Sequence, residues 1–278
     1  MVGVAQWLAM PGAASQNLEA ACDMMERASH RGVELLVLPE LWACGYDPAS
    51  LHDDARKAAE PLDGPRGDRL SREAQRHGMW LAAGSVPERG DDGNLYNTAL
   101  VYDPTGTLVA WHRKVHLYPP TLEPTVFTPG SRLTTFNDPS LGGVGVAICF
   151  DGDFPEVART MAMRGARLII APSAYEVEGA TAWDLLYPAL ALTNSQWWIQ
   201  ANQSGSHHSS TLLGASRIVA PTGTIVAEAS RAVPGCTAAA ELLVHRIDLQ
   251  LAYQREGLSA LLDEQRRSEL YFTQATPG

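Results

Sequence analysis

Apolar and polar positions fall into short blocks along the 278-residue chain, and the period of each block separates strands from helices. VGVAQW (2–7) is a short apolar run that predicts a first strand. NLEAACDMMERASHRG (17–32) repeats its apolar positions at helical spacing and ends on Gly32, a residue suited to stopping a helix. VELLVLPE (33–40) reads as a buried strand closed by Pro39. Residues 65–78 read as an amphipathic helix and WLAAGSV (80–86) as the following strand. Strands alternating with helices predict an α/β architecture.

Two hairpins then share a plan. TALVYDPTGTLVAWH (98–112) and SRIVAPTGTIVAEA (216–229) each place a Pro-Thr-Gly turn between β-rich arms. Their separation is too long for a solenoid; it fits two layers that each contribute a hairpin, with coincidence of turn chemistry as the alternative. No Ser- or Gly-rich linker parts the halves, so one domain over 1–278 is expected.

GVGVAICF (143–150) predicts a buried strand, and DFPE (153–156) a helix start, with Asp153 as N-cap, Pro155 in the first turn and Glu156 closing a capping box. The helix is expected over 154–164, stopped by Gly165, and ARLIIAPS (166–173) is expected to be the next strand. Cys149 then lies at the C-terminal end of a strand, the edge where open α/β sheets bind ligands. A helix N-terminus beside it would favour the thiolate. A free cysteine is as readily a small buried hydrophobe, and position alone leaves both readings open. A nucleophilic thiol needs a base and an oxyanion donor. Glu40 and Lys114 also stand at predicted strand ends.

Composition narrows the partners. With 21 Lys and Arg against 31 Asp and Glu the formal net charge is −10, which disfavours nucleic acid and anionic membranes as partners. Cys22, Cys44, Cys149 and Cys236 form no CxxC pair, which suits a reducing compartment. There is no basic leader with an apolar core and no run of about 18 apolar residues, so a cytoplasmic protein is expected. A metal site would recruit His112, His116, His207 and His208 with Cys149, but these lack compact ligand spacing. Neither metal nor cofactor is expected.

In this order, LLVLPELWACGY (35–46), HRKVHL (112–117) and GVAICFDGDFPE (145–156) resemble the Glu, Lys and Cys signatures of the nitrilase superfamily of carbon–nitrogen hydrolases. YNTALVYDPTGTLV, EPTVFTPG, GARLIIAPSA, RIVAPTGTIVAEA and VHRIDLQLAYQREG extend the likeness over nearly the whole chain. The resemblance implies a four-layer α-β-β-α sandwich that pairs into a homodimer or higher homo-oligomer. It also implies roles. Cys149 would attack a carbonyl carbon and form a thioester, and Glu40 would serve as base. Lys114 and the backbone N–H of Phe150 would hold the oxyanion, and Glu123 would orient Lys114 and substrate.

True nitrilases tend to follow the cysteine with Trp-Glu, whereas Phe150-Asp151 is the amidase-like pattern. Hydrolysis of a small amide is therefore expected. The alternatives are an N-carbamoyl amine hydrolase, a nitrilase, or a binding protein on the same fold. Tyr46, His116, Tyr118, Asp151, Ala174, Tyr175, Glu176 and Trp183 are the pocket candidates, with Asp151 organising the loop. Glu176, Glu178 and Asp184 would suit an amine-bearing substrate, or be merely solvated. Tyr187 would help bound an apolar chain. The post-cysteine loop has no arginine, which disfavours carboxylate-bearing N-carbamoyl amino acids. PALALTNSQWW (188–198) departs from the family by keeping Asn194 while showing Leu190 and Thr193 where charges are common.

Overall fold

The computed structural model describes residues 1–233, 235, 240–254 and 258–271. The chain opens with β1 (Val2–Gln6), α1 (Ala14–His30), β2 (Leu35–Val37), α2 (Leu51–Ala58), α3 (Pro65–His77), β3 (Trp80–Arg89), β4 (Leu95–Tyr102), β5 (Leu108–Arg113) and the short α4 (Glu123–Val126). It continues through β6 (Thr134–Asp138), β7 (Gly142–Val146), α5 (Pro155–Met163), β8 (Leu168–Ser173), α6 (Ala180–Asn194), β9 (Trp197–Asn202), β10 (Ser204–Ser206) and β11 (Thr211–Leu213). Then come β12 (Arg217–Val219), β13 (Ile225–Glu228), β14 (Glu241–His245), α7 (Leu251–Gln254) and α8 (Leu258–Glu264).

Two six-stranded sheets run in the orders β14-β1-β2-β3-β4-β5 and β6-β7-β8-β9-β12-β13. Each has a parallel centre, β1-β2-β3 or β7-β8-β9, flanked by antiparallel strands. The predicted hairpins β4-β5 and β12-β13 occupy equivalent edges, each with a register shift near its turn. The two layers are thus built on one plan.

Period-two alternation explains the layering, because the central strands are buried on both faces. Leu35 and Val37 point into a core shared with Val144, Val146, Leu168, Ile170 and Ile199 of the other sheet. Their neighbours Leu36 and Leu38 pack outward with Met24, Met25, Leu70 and Ala74 of α1 and α3. On the second sheet Ile169 and Ala171 pack outward with Val157, Met161, Trp183 and Tyr187 of α5 and α6. The result is the expected α-β-β-α sandwich. Among the described residues no helix is long and apolar enough to cross a membrane.

Three expectations need correction. The strand expected over 33–40 is regular only over Leu35–Val37; beyond it the Leu38 N–H still donates to Ala82 O (2.9 Å) and Pro39 O accepts from the Ser85 N–H (3.1 Å), across the irregularity in β3 that lies opposite Glu40. The strand expected over 143–150 stops at Val146, and Cys149–Asp153 form a 3-10 turn. That turn displaces the helix start. Phe154, not Asp153, precedes α5, and no side chain caps it. The other boundaries move little, and Gly32 stands at φ +66° just beyond α1.

Candidate active site

Three strand ends meet at one edge of the sandwich. Glu40 follows β2, and its N–H donates to Ser173 O at the end of β8 (3.2 Å), which ties the two sheets together. Gln203 Nε2 donates to Glu40 O at 2.8 Å. Opposite lies a bulge in β3 at Gly84, whose φ is +63°. A Cβ there would stand 2.0 Å from Pro39 O, so only glycine permits this approach. The bulge also lets Ser85 Oγ accept from the Leu41 N–H at 3.0 Å. Glu40 is therefore held from both flanks before its side chain makes any contact.

Lys114 lies just past β5, where its N–H continues the hairpin ladder to Asn97 O at 2.8 Å. Its Nζ donates to Glu40 Oε1 and Glu123 Oε1, both at 2.8 Å, and all three side chains are fully buried. Asn97 Nδ2 also donates to Glu40 Oε1, at 2.8 Å. Tyr46 OH donates to Glu123 Oε1 at 2.6 Å and the Tyr118 N–H to Glu123 Oε2 at 3.0 Å. Glu40 Oε2 and Asn97 Oδ1 have no hydrogen-bond partner among the described residues. Burial opposes the Lys114 cation, but the Glu123 and Glu40 carboxylates outweigh it and hold the ammonium well above the ordinary lysine range. Burial, joined by the Glu123 charge, raises Glu40 against the pull of Lys114, so it is a stronger base than a solvated glutamate. Asn97 escaped the sequence reading. Its signal was a polar residue in an apolar strand, opposite Lys114 in the hairpin register.

Cys149 sits at the apex of the turn after β7 with φ +46°, a left-handed conformation that costs a non-glycine residue about 1–2 kcal/mol. Tyr187 OH anchors the apex by donating to Cys149 O at 3.2 Å. Burial, and next the Glu40 carboxylate, push the thiol well above the ordinary cysteine range, although Lys114 and the Ala174 N–H pull the other way. The expected lowering by a helix N-terminus is thus overturned. Desolvation wins, and the resting thiol is protonated.

Asp151 fastens this turn to the Lys114 loop. Its Oδ1 accepts from the N–H groups of Val115 (3.1 Å) and His116 (2.8 Å) and from His116 Nδ1 (2.9 Å). Its Oδ2 is bonded to His112 Nε2 (2.9 Å) and the Ile148 N–H (3.1 Å). Burial disfavours the ionised form, but the His112 and His116 donors hold the carboxyl well below the usual range. Asp151 organises the loop as expected. His112 and His116 belong to this structural device, and no group of metal-ligating side chains assembles among the described residues. His207 and His208 lie in the loop between β10 and β11, and His207 faces Asp47. Cys22, Cys44 and Cys149 are free thiols; Cys236 lies outside the described residues.

A cavity of about 60 Å³ opens beside Cys149, lined by Tyr46, Tyr118, Phe150, Asp153, Ala174, Tyr175, Glu176 and Gly179. Of the pocket candidates, Tyr46, Tyr118, Ala174, Tyr175 and Glu176 are among the residues lining this cavity. Trp183 is not, because its face of α6 turns into the core against the second sheet. Asp151 is fully buried behind the turn, and His116 stacks on Phe154 (3.9 Å between ring centroids) rather than lining the cavity. Asp184 is engaged elsewhere, pairing with Arg217 (3.3 Å) and Arg231 (2.7 Å). Asp153, expected to cap α5, instead accepts from Tyr175 OH (2.8 Å) and Tyr187 OH (3.0 Å) at the cavity wall. Two wider clefts, of about 460 and 490 Å³, include neither Cys149 nor Lys114 in their walls.

A thiol on a strained turn, beside a buried amine shared by two carboxylates, places the molecule in a class: enzymes that hydrolyse carbon–nitrogen bonds through a cysteine. Comparison with known proteins agrees. Residues 1–256 match the family model described as carbon-nitrogen hydrolase. The chain is 32% identical to omega-amidase NIT2 of Xenopus tropicalis, over 97% of this chain and 96% of that protein. It is equally 32% identical to deaminated glutathione amidase of Bos taurus, over 98% of this chain and 83% of that protein. Among solved structures it resembles a mutant amidase from Nesterenkonia sp. AN1 at TM-score 0.78 and 28% identity, covering 97% of this chain and 94% of that one. In that structure the acetamide moiety of fluoroacetamide is covalently added at the active-site cysteine. The chain belongs to the carbon–nitrogen hydrolase family, as an amidase-like member of the nitrilase superfamily.

Proposed function

We propose that the chain hydrolyses a small linear amide through a thioester on Cys149. The observation that carries this reading is the buried Glu40–Lys114–Glu123 ion network set against the strained Cys149 turn, with Glu40 Oε2 free of partners. Glu40 takes the thiol proton as Sγ attacks the amide carbon. The carbonyl oxygen gains the negative charge, which Lys114 Nζ and the Phe150 N–H receive; one such donor is typically worth about 3–4 kcal/mol. Collapse of this intermediate breaks the carbon–nitrogen bond, and Glu40 returns the proton to the departing ammonia or amine. Glu40 then removes a proton from water, which attacks the thioester and releases the acid and the Cys149 thiol. Glu123, held by Tyr46 and the Tyr118 N–H, orients Lys114 throughout. The resting thiol stays protonated because transfer to Glu40 becomes favourable only as the oxyanion forms beside Lys114.

No step needs a metal or cofactor. The enzyme acts as one domain over 1–278 and as a homodimer or higher homo-oligomer; the apolar side chains of Met163 and Leu185, exposed on α5 and α6, support association through that outer face. Unpaired Cys22, Cys44 and Cys149 support a reducing, cytoplasmic setting. Ammonia release from a panel of primary amides, N-carbamoyl amines and nitriles, with Cys149→Ala in parallel, tests the function. Turnover of an amide that is lost in Cys149→Ala is expected; silence across the panel would refute it.

A further inference from the structure

The charge carried by the cavity wall bears on the substrate. Two carboxylates, Asp153 and Glu176, line the same cavity as Cys149, and no arginine, lysine or histidine lines it with them. Lys114 lies behind this wall, fully buried, and its charge is already taken by Glu40 and Glu123. Burial raises the Asp153 carboxyl, while the two neutral phenols that donate to it, and more weakly the Lys114 charge, favour its ionised form. Glu176 is half-buried at the mouth, where an isolated β-bridge to Leu212 fixes its backbone. No hydrogen-bond or ion-pair partner meets its side chain among the described residues. Burial and the nearby Glu178 charge both raise its pKa, the signature of a carboxylate lacking a cation. The rings of Tyr118, Phe150 and Tyr175 line the same cavity as the two acids, surfaces over which an ammonium group is attracted. That this cavity receives a ligand follows from different observations, the nucleophile in its wall and the unpartnered, fully buried Glu40 Oε2 beside it.

We infer that the acyl side of the substrate carries a protonated amine, and that Asp153 and Glu176 select such amides over those ending in a carboxylate. This rests on the amidase reading above. A carboxylate-bearing amide would bring a third negative charge to a wall that offers it no cation, and like-charge contact of this kind is a strong means of exclusion. The amine-bearing amide instead gives Glu176 the partner it lacks.

The test uses three primary amides of matched length on the full chain: one ending in an amine, one in a methyl group and one in a carboxylate. For the unaltered enzyme, kcat/KM is expected to fall in that order, with about tenfold or more between amine and carboxylate; tenfold corresponds to about 1.4 kcal/mol. In Glu176→Gln the amine-to-methyl ratio should drop several-fold, and in Glu176→Arg the order of amine and carboxylate should reverse. A carboxylate amide cleaved as well as the amine amide would overturn the inference while leaving the amidase reading intact. Failure to cleave all three would instead count against the amidase reading. Protection of Cys149 from iodoacetamide by pentylamine, compared with pentanoate, needs no variant. The amine should protect at lower concentration, and equal or better protection by pentanoate would also overturn the inference.

Discussion

Two ion clusters in this molecule use the same residue classes to opposite ends. At the edge of the sandwich, one amine, Lys114, is shared by two carboxylates, Glu40 and Glu123, all fully buried. On the outer face of the second sheet, Arg217 and Arg231 meet Asp184 and Glu228, with one arginine for each acid and three of the four side chains partly exposed. The outer cluster is balanced, and it joins α6 to the β12-β13 hairpin. The edge cluster has more acid than base and leaves Glu40 Oε2 without a partner. An uncompensated buried oxygen costs stability, and in the proposed mechanism it is the atom that takes the thiol proton. The chemistry lies where the valences are left open.

Removing the cation should separate the clusters most sharply. Lys114→Met is expected to lower kcat/KM by about 10²–10³ through loss of an oxyanion donor. It should also destabilise the fold by about 3–5 kcal/mol, because two buried carboxylates then face each other unpaired. Steady-state kinetics and urea unfolding read the two effects separately.

Glu40→Gln keeps the shape and removes the base, so kcat should fall by at least about 10². In the unaltered enzyme Glu40 must be ionised to act, and burial raises it, so the acid limb of kcat/KM should lie above the ordinary glutamate value of about 4.3. That limb should vanish from the residual activity of Glu40→Gln. An acid limb unchanged in the variant would assign it to another group.

Asp151 gives a smaller effect with a definite sign. Its pKa is lowered on folding, so the unfolded chain binds the extra proton and stability rises with pH across that window. The contribution is complete above the unfolded value of about 3.9 and is lost as pH falls toward the folded one. Asp151→Asn should therefore cost about 1–3 kcal/mol near neutrality, and the gap from the unaltered protein should narrow below about pH 4. Unfolding midpoints across pH check this. The smallest effect belongs to the outer cluster. Asp184→Asn should change stability by about 0–1 kcal/mol, because Asp184 is partly exposed and the buried Arg217 keeps Glu228 as a partner, and leave kcat/KM unaltered.

The alternation of strands and helices made the α/β architecture legible, whereas the four-layer sandwich and the roles expected of Glu40, Lys114, Glu123 and Cys149 came from the resemblance of ordered motifs to a family. The central strands read as continuous apolar runs, and Glu40, Lys114 and Cys149 stand at or near the ends of predicted strands, where each alone would pass for an ordinary side chain. What was not legible depends on contacts distant in sequence. Asp153 has every local feature of an N-cap, yet Tyr175 and Tyr187 approach from another strand end and from α6 to claim its carboxylate. Trp183 and Tyr175 look alike as aromatic residues in one segment, but the helix phase of α6 sends Trp183 into the core. Asp184 reads as a solvated or substrate-facing acid until β12 places Arg217 beneath it. The thiol's direction of titration was misjudged because a nearby helix start is visible in sequence, whereas the depth of burial is not.

The central claim is that catalysis passes through an acyl group on Cys149, and adding hydroxylamine during turnover of a small neutral amide tests it most directly. A thioester would partition between water and hydroxylamine, so hydroxamate should form alongside acid in proportion to the hydroxylamine supplied, and neither product should form with Cys149→Ala. Acid alone at every hydroxylamine concentration, or turnover that survives in Cys149→Ala, would contradict the account.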